Sequence, residues 1–178
     1  MTILYVLILL IALLLIAAFF MKSEYNIEKI IIIDQPVGRV FDYIRYMNHQ
    51  HKFNKWWMAD PHVKTEMIGE DGLIGCVISW DSSNKQLGKG EQEIKSIEVN
   101  HRIDFEIRFI KPFNNIAQVY MITEPITDDI TRFKWGFVGK NKYPLTLMNP
   151  LMDKLLGKDL ETSSMILKEI LELEIASH

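Results

Sequence analysis

One cysteine, Cys76, is too few for an intramolecular disulfide, so nothing in the sequence calls for an oxidising compartment. It lies in the apolar run Leu73-Ile74-Gly75-Cys76-Val77-Ile78 and reads as a small buried side chain, not a reactive thiol. Charge of one sign is equally scarce. With 20 Lys and Arg against 23 Asp and Glu, the formal net charge is −3, and no run of like charge exceeds two or three residues. That leaves no basic stripe for a polyanion, so nucleic acid is not expected as a partner. Internal repeats, low-complexity segments and Pro/Gly/Ser linkers are absent. So are a Ser-His-Asp set, a phosphate-binding loop and a redox motif, and no cofactor is expected.

What the chain does have is an unbroken apolar run from Ile3 to Met21, closed by Lys22. As a helix it spans roughly 29 Å, the thickness of a bilayer's hydrocarbon core. No basic residue precedes it, and Ala17-Ala18 lead into Phe19-Phe20-Met21 instead of a small-x-small cleavage site. The reading is a single-pass anchor over 1–22, with a removed signal or a buried core helix as alternatives, and the lipid bilayer is the expected partner. Lys22, Lys29 and Arg39 put positive charge on the C-terminal side, which favours a cytoplasmic domain.

Residues 23–178 have the length of one domain with a sizeable core. Tyr25 to Ile33 is rich in β-branched residues and reads as a strand, stopped by Asp34-Gln35-Pro36. Val37, Val40, Phe41 and Ile44 then recur at helical spacing, and a second short helix is expected between Met47 and Trp57. From His62 to Lys140 the period becomes two. Ile103, Phe105, Ile107 and Phe109 alternate with charged residues, Ala117, Val119, Met121 and Thr123 repeat the pattern, and Thr131, Phe133, Trp135 and Phe137 do so again. About six strands in meander order are expected here. After Tyr143-Pro144 the spacing is helical almost to the end. One stripe runs through Leu151, Leu155, Thr162, Met165 and Glu169, broadened by Met152, Leu156, Leu160, Leu167 and Leu171. The expectation is an α+β domain of order β-α-α-β6-α, with a terminal helix of about 28 residues along the concave side of the sheet.

That order, with several local segments, resembles the START-like (Bet v1-like, SRPBCC) superfamily, and within it the polyketide cyclase/dehydrase and lipid transport proteins. Ile33-Asp34-Gln35-Pro36 leading to Val40-Phe41 and Ile44 is similar to the family's opening I-x-A-P-x-x-x-V-F-x-x-I. Trp56-Trp57 with Asp60-Pro61, Gly72 to Gly75 with Ser79-Trp80, Gly88-Lys89-Gly90, and Met152-Asp153-Lys154 with Gly157 to Glu161 resemble further family segments. Gln35 departs where the family usually has Ala, and Ser163-Ser164 where Gly-Leu is common. The resemblance implies a helix-grip fold of about seven strands enclosing an apolar cavity. Relatives bind lipids, sterols or polyketides there, and a minority catalyse cyclisation or dehydration. Fold alone does not choose among these.

The expected function is membrane-tethered binding or carriage of a hydrophobic small molecule, lipid or polyketide-like. A cyclase or dehydratase-type enzyme and an envelope-associated interaction module with a filled cavity are the alternatives. The candidate cavity residues are Trp56, Trp80, Gln92, Phe105, Phe109, Met121, Phe133, Trp135, Phe137 and Leu155, with core packing the competing reading for each aromatic. Gln92 shares a strand face with Ile94, which makes it a polar group in a greasy interior. Phe113, in the Lys111-Pro112-Phe113 loop, is a candidate gate or lipid contact. His49, His51 and His62 raise a zinc site, but His-x-His alone is a weak pattern and solvated positions are expected. Asp159 and Glu161 are the acid or base an enzyme of this fold would need, although a surface charge network or a loop anchor accounts for them. No catalytic and no metal-binding residue is assigned.

Overall fold

The computed structural model describes residues 1–112 and 114–173. An apolar helix, α1 (Thr2–Phe20), comes first. It has a mean hydropathy of 3.2 and is long and apolar enough to cross a membrane. Almost all of it is exposed; Ala18, at its C-terminal end, is the one buried residue. There Thr146 Oγ1 donates to the Ala18 carbonyl at 2.8 Å, and Asn149 Nδ2 to the Lys22 carbonyl at 2.6 Å.

Seven antiparallel strands follow. They are β1 (Glu24–Ile33), β2 (Lys64–Ile68), β3 (Val77–Asp81), β4 (Lys89–Glu98), β5 (Arg102–Lys111), β6 (Asn115–Thr127) and β7 (Ile130–Lys140). Their order in the sheet is β1-β7-β6-β5-β4-β3-β2. Strands 2 to 7 are thus a meander, and β1 closes onto β7. The two-residue period in the sequence is the period of burial: Ala117, Val119, Met121 and Thr123 on β6, and Thr131, Phe133, Trp135 and Phe137 on β7, are all buried. On the convex face Tyr120 lies across Gly136, its registered partner, so closely that a Cβ at 136 would fall 1.9 Å from the ring. Glycine is the residue that admits this contact.

Between β1 and β2 run α2 (Val37–Ile44), α3 (Gln50–Phe53) and α4 (Lys55–Met58). The segment after β7 corrects the sequence expectation. Instead of one helix of about 28 residues there are three windings: a 3₁₀ segment Leu145–Leu151, a π-helical turn Asp153–Gly157, and α5 (Lys158–Leu173), 16 residues long. Pro150, with no N–H to donate, sits in the 3₁₀ segment. The π turn closes i→i+5 bonds. The inward face of this region is Leu156, Leu160, Leu167 and Leu171, at α-helical spacing, while Leu151, Leu155 and Met165 are exposed.

Gln35 and Ser163 both make hydrogen bonds that hold α5 down. Gln35 Nε2 donates to the Leu171 carbonyl at 2.9 Å, and its own carbonyl accepts from Thr131 Oγ1 at 2.7 Å. Ser163 Oγ accepts from the Lys55 amide at 3.0 Å, at the first turn of α4. The main core lies between the far half of the sheet and α2, α3 and α5, around Ile33, Phe41, Phe53, Phe105 and Phe133.

Candidate ligand cavity

The other half of the sheet is not filled by its own side chains. A cavity of about 240 Å³ lies there. Its strand-borne walls are Tyr25 of β1, Trp80 of β3, Gln92 of β4, Ile107 and Phe109 of β5, Asn115, Val119 and Met121 of β6, and Trp135 and Phe137 of β7. The helical side contributes Gln50 and Asn54, then Trp56 and Trp57 of α4, and Leu156 of the π turn.

Register fixes where this is in the molecule. Glu24 pairs with Lys140, Phe109 with Asn115, Lys89 with Lys111 and with Asp81, and Lys64 with Asp81. These residues mark one edge, and the strand residues lining the cavity belong to the half of the sheet on that side. It is also the edge where the chain passes from α1 into β1. The exposed lining residues, Gln86 and Asn115, are on this rim.

All four tryptophans of the chain line the cavity. Trp57 and Trp80 meet edge to face with ring centroids 5.2 Å apart, and Trp80 Nε1 donates to the Leu87 carbonyl at 3.1 Å. Trp80 reaches this position by lying over Gly90 on the neighbouring strand, where a Cβ would stand 2.7 Å from its ring. Trp135 is held edge-on to Phe53 at 5.7 Å.

Among the described residues, the lining carries no Asp, Glu, Lys, Arg or His. Its titratable group is the Tyr25 phenol, whose pKa burial pushes up. Polarity comes from amides and indoles. Gln50 and Gln92 are buried, Asn54 nearly so, and Asn54 Oδ1 accepts from the Trp56 amide at 3.1 Å. Asn54 Nδ2 reaches Gln50 Oε1 at 3.4 Å. Two buried donors, Gln50 Nε2 and Trp135 Nε1, have no partner among the described residues. A buried donor left unsatisfied costs about 1–3 kcal/mol.

Of the ten residues expected at the cavity, Trp56, Trp80, Gln92, Phe109, Met121, Trp135 and Phe137 line it. Three do not. Phe105 and Phe133 are fully buried in the main core, in the half of the sheet that the helices cover, where Phe133 packs against Trp135 at 6.4 Å. Leu155 is 54% exposed; counted back from the buried Leu160, Leu167 and Leu171 of α5, the residue on the inward face is Leu156, four positions before Leu160. Sequence reasoning passed over Gln50 and Asn54, although their i, i+4 spacing puts them on one helical face. Ile107 and Val119 were readable as members of the same alternating faces.

The remaining candidates have local partners. His49 Nδ1 lies 2.8 Å from the Tyr43 carbonyl and its ring stacks on Tyr43; His51 packs edge-on to Trp57, and burial lowers its pKa; His62 is exposed. No group of three or more His, Cys, Asp or Glu is arranged to hold a metal ion among the described residues. Asp159 pairs with Lys55 Nζ at 2.6 Å, tying α5 to α4, and Glu161 is exposed. Cys76 is buried, and burial first, then the charge of Asp71, raises its thiol pKa. Phe113 lies outside the described residues.

No protein-family model and no curated protein matches the chain. Solved structures do. Truncated norcoclaurine synthase from Thalictrum flavum superposes with a TM-score of 0.62 at 11% identity, over 83% of this chain and 93% of its own. The fold is Bet v1-like. The same synthase in complex with dopamine and hydroxybenzaldehyde gives a TM-score of 0.61 at 13% identity, covering 88% and 91% of the two chains. A protein from Nitrosospira multiformis gives 0.51 at 18% identity, covering 78% and 92%. These likenesses establish the curved seven-stranded sheet gripping a C-terminal helix. At such identities the Bet v1-like fold carries no activity with it.

Proposed function

We propose that this protein is a membrane-tethered binder of small hydrophobic molecules, with α1 spanning the bilayer and the Bet v1-like domain holding its ligand beside the lipid surface. The observation that carries the reading is the coincidence of two features at one edge of the sheet: an apolar, tryptophan-lined cavity, and the junction with a 19-residue apolar helix. A molecule leaving the bilayer beside α1 meets that edge first. Binding removes its apolar surface from water at about 25 cal/mol per Å².

The same edge is suited to lipid headgroups. Lys64, Lys89, Lys111 and Lys140 mark the strand ends there, and Lys22 and Lys142 flank it. Leu145, Met148, Leu151 and Leu155, in the windings joined by hydrogen bonds to the end of α1, are 60%, 40%, 49% and 54% exposed. Apolar side chains beside a transmembrane helix and ringed by lysines fit the boundary between headgroups and acyl chains. The lysines also favour the cytoplasmic leaflet, where anionic lipids concentrate.

Acid–base catalysis is less well supported, because the described wall offers only the Tyr25 phenol as a titratable group. A filled interaction module is disfavoured by the cavity itself. At about 240 Å³ the space is of a size to enclose a small molecule or one end of a longer one.

The test is native mass spectrometry of the full chain released from mild detergent, with extraction and identification of bound molecules. A stoichiometric apolar adduct, lost when Val119→Phe fills the cavity of a protein that still folds, is the expected result. An unliganded mass across several membrane extracts would reject the reading.

A further inference from the structure

Resting on the reading of the cavity as a hydrophobic-ligand site, we infer that its ligand is an uncharged amphiphile, an apolar body with one neutral hydrogen-bonding group such as a hydroxyl, and that this group pairs with the side-chain amide of Gln92. Charge is excluded by the wall. The described lining carries no Asp, Glu, Lys, Arg or His, so a carboxylate, phosphate or ammonium inside it would lose its water with no opposite charge in return. Lys55, next to Trp56 in the sequence, and Lys89, at the start of β4, are already paired with Asp159 and Asp81, each at 2.6 Å.

The wall is nonetheless not purely apolar. Gln92 lies on β4, an interior strand flanked by β3 and β5, on the concave face that lines the cavity. Its registered partners are Ile78 and Ile107, and its neighbours along the same strand face are Gly90 and Ile94, none with a side chain able to hydrogen-bond. The Trp80 ring covers Gly90, but its indole N–H is engaged by the Leu87 carbonyl. The Gln92 amide accordingly has no hydrogen-bond partner among the described residues. Gln50 Nε2 and Trp135 Nε1 share that lack but are closed off completely; Gln92, 3% exposed, keeps a remnant of accessible surface at its amide, and on this face the space beyond it is the cavity. An amide both donates and accepts. Facing an alkane it stays unsatisfied, and facing a hydroxyl it is bonded, so the site discriminates between the two through its own unpaired group as well as through the bond formed.

The experiment titrates the full chain in detergent micelles with three probes of nearly equal size, each carrying bromine at one chain end as a quencher of tryptophan: bromooctanol, bromononane and, at neutral pH, bromooctanoate. Every tryptophan lines the cavity, so quenching reports occupancy, and Val119→Phe, which fills the cavity, gives the background from probe dissolved in the micelle. Bromooctanoate should bind at least about tenfold more weakly than bromooctanol. The ratio of bromooctanol to bromononane affinity should fall by about tenfold in Gln92→Met, a substitution of similar size that keeps bromononane binding. Comparing parent and variant cancels each probe's partition into the micelle. Circular dichroism checks folding, and Gln92→Leu repeats the comparison if Gln92→Met does not fold. A ratio unchanged in the folded variant, or bromooctanoate bound as tightly as bromooctanol, would overturn the inference while leaving a hydrophobic site intact. Quenching by none of the three beyond the Val119→Phe background would remove the ligand-binding reading together with it.

Discussion

Thr146 Oγ1 donates a hydrogen bond to the Ala18 carbonyl across 2.8 Å, joining the 3₁₀ segment after β7 to the last turn of the apolar helix. Asn149 adds the bond to the Lys22 carbonyl and is itself held by Asn141 Nδ2 at 2.8 Å. The Ala18 carbonyl, one of the terminal carbonyls of the helix, thus accepts from the domain as well as from the Met21 amide, and the Lys22 carbonyl just beyond the helix is held too. Thr146→Val with Asn149→Ala should loosen the joint while leaving the sheet unchanged. Amide exchange in residues 19–23 should speed up by about tenfold, the equivalent of one to two ordinary hydrogen bonds. Exchange as slow as in the parent chain would mean that packing around Ala18 alone fixes the helix.

Gln35→Ala tests the side chain that ties β1 to the end of α5. It removes the bond to the Leu171 carbonyl at the end of α5, but also Gln35 Oε1, a buried acceptor with no partner among the described residues. The two effects oppose each other, so the cost should be modest, about 1 kcal/mol, lowering Tm by about 2–4 °C for a chain of this size. Thermal unfolding followed by circular dichroism decides this, and a gain in stability would show that the orphaned acceptor outweighs the bond.

Gly136→Ala places a methyl group into the Tyr120 ring, which is fixed from its other side by the hydrogen bond from its hydroxyl to Glu28 Oε2 at 2.7 Å. Overpacking of this kind costs about 1–3 kcal/mol. Tyr120→Ala in the same chain should recover part of it, giving a coupling well beyond experimental error in a double-mutant cycle on urea denaturation. Simple additivity would mean that the ring swings away without penalty.

How far these features were legible varies with their cause. Strand number and order were readable because period-two alternation and turn residues are local signals, and the burial of Ala117 to Thr123 follows them. In the terminal helix the stripe through Leu155, Met165 and Glu169 was read as leading, but Met165 and Glu169 are exposed within α5, where Leu160, Leu167 and Leu171 are buried; two adjacent apolar stripes share one helical period, and the period does not choose between them. Leu156, four residues before Leu160, belongs to the buried stripe, and Leu155 to the exposed one. Phe105 and Phe133 sit on the correct face, but alternation gives the face and not the position along the strand, which decides between core and cavity. That Gln50 and Trp135 border one cavity was beyond reach: 85 residues separate them along the chain.

On the convex face Arg108 gathers three carboxylates: Nη1 meets Glu93 at 2.7 Å and Glu106 at 2.6 Å, and Nε meets Glu91 at 3.3 Å. The Arg108 bonds are the main reason why Glu93 and Glu106 titrate below the ordinary carboxylate value of 4.5. A carboxylate depressed in the folded state contributes stability above its unfolded pKa and loses it as pH falls through the folded one. Urea stability of the parent chain should therefore begin to drop near pH 4.5 and continue below it. Arg108→Gln should be less stable at neutral pH, and its deficit should shrink as pH falls below 4.5 and the carboxylates protonate. A deficit that stays constant over that range would assign the role of Arg108 to packing of its stem across β4 and β5.

The exposed residues Leu145, Met148, Leu151 and Leu155 give the proposed membrane seating its most direct check. Polar replacement of all four by Ser should cost little in folding, since each is at least 40% exposed. If the patch rests in the headgroup region, a fluorophore at position 148 of the parent chain, reconstituted in vesicles containing anionic lipid, is quenched by brominated acyl chains. With 145, 151 and 155 changed to Ser, quenching at 148 should fall by about half or more, and high salt should lower it further by screening the lysines. An unquenched fluorophore in the parent chain would mean that the domain stands off the bilayer on its helix, and the cavity would then have to exchange its ligand through water.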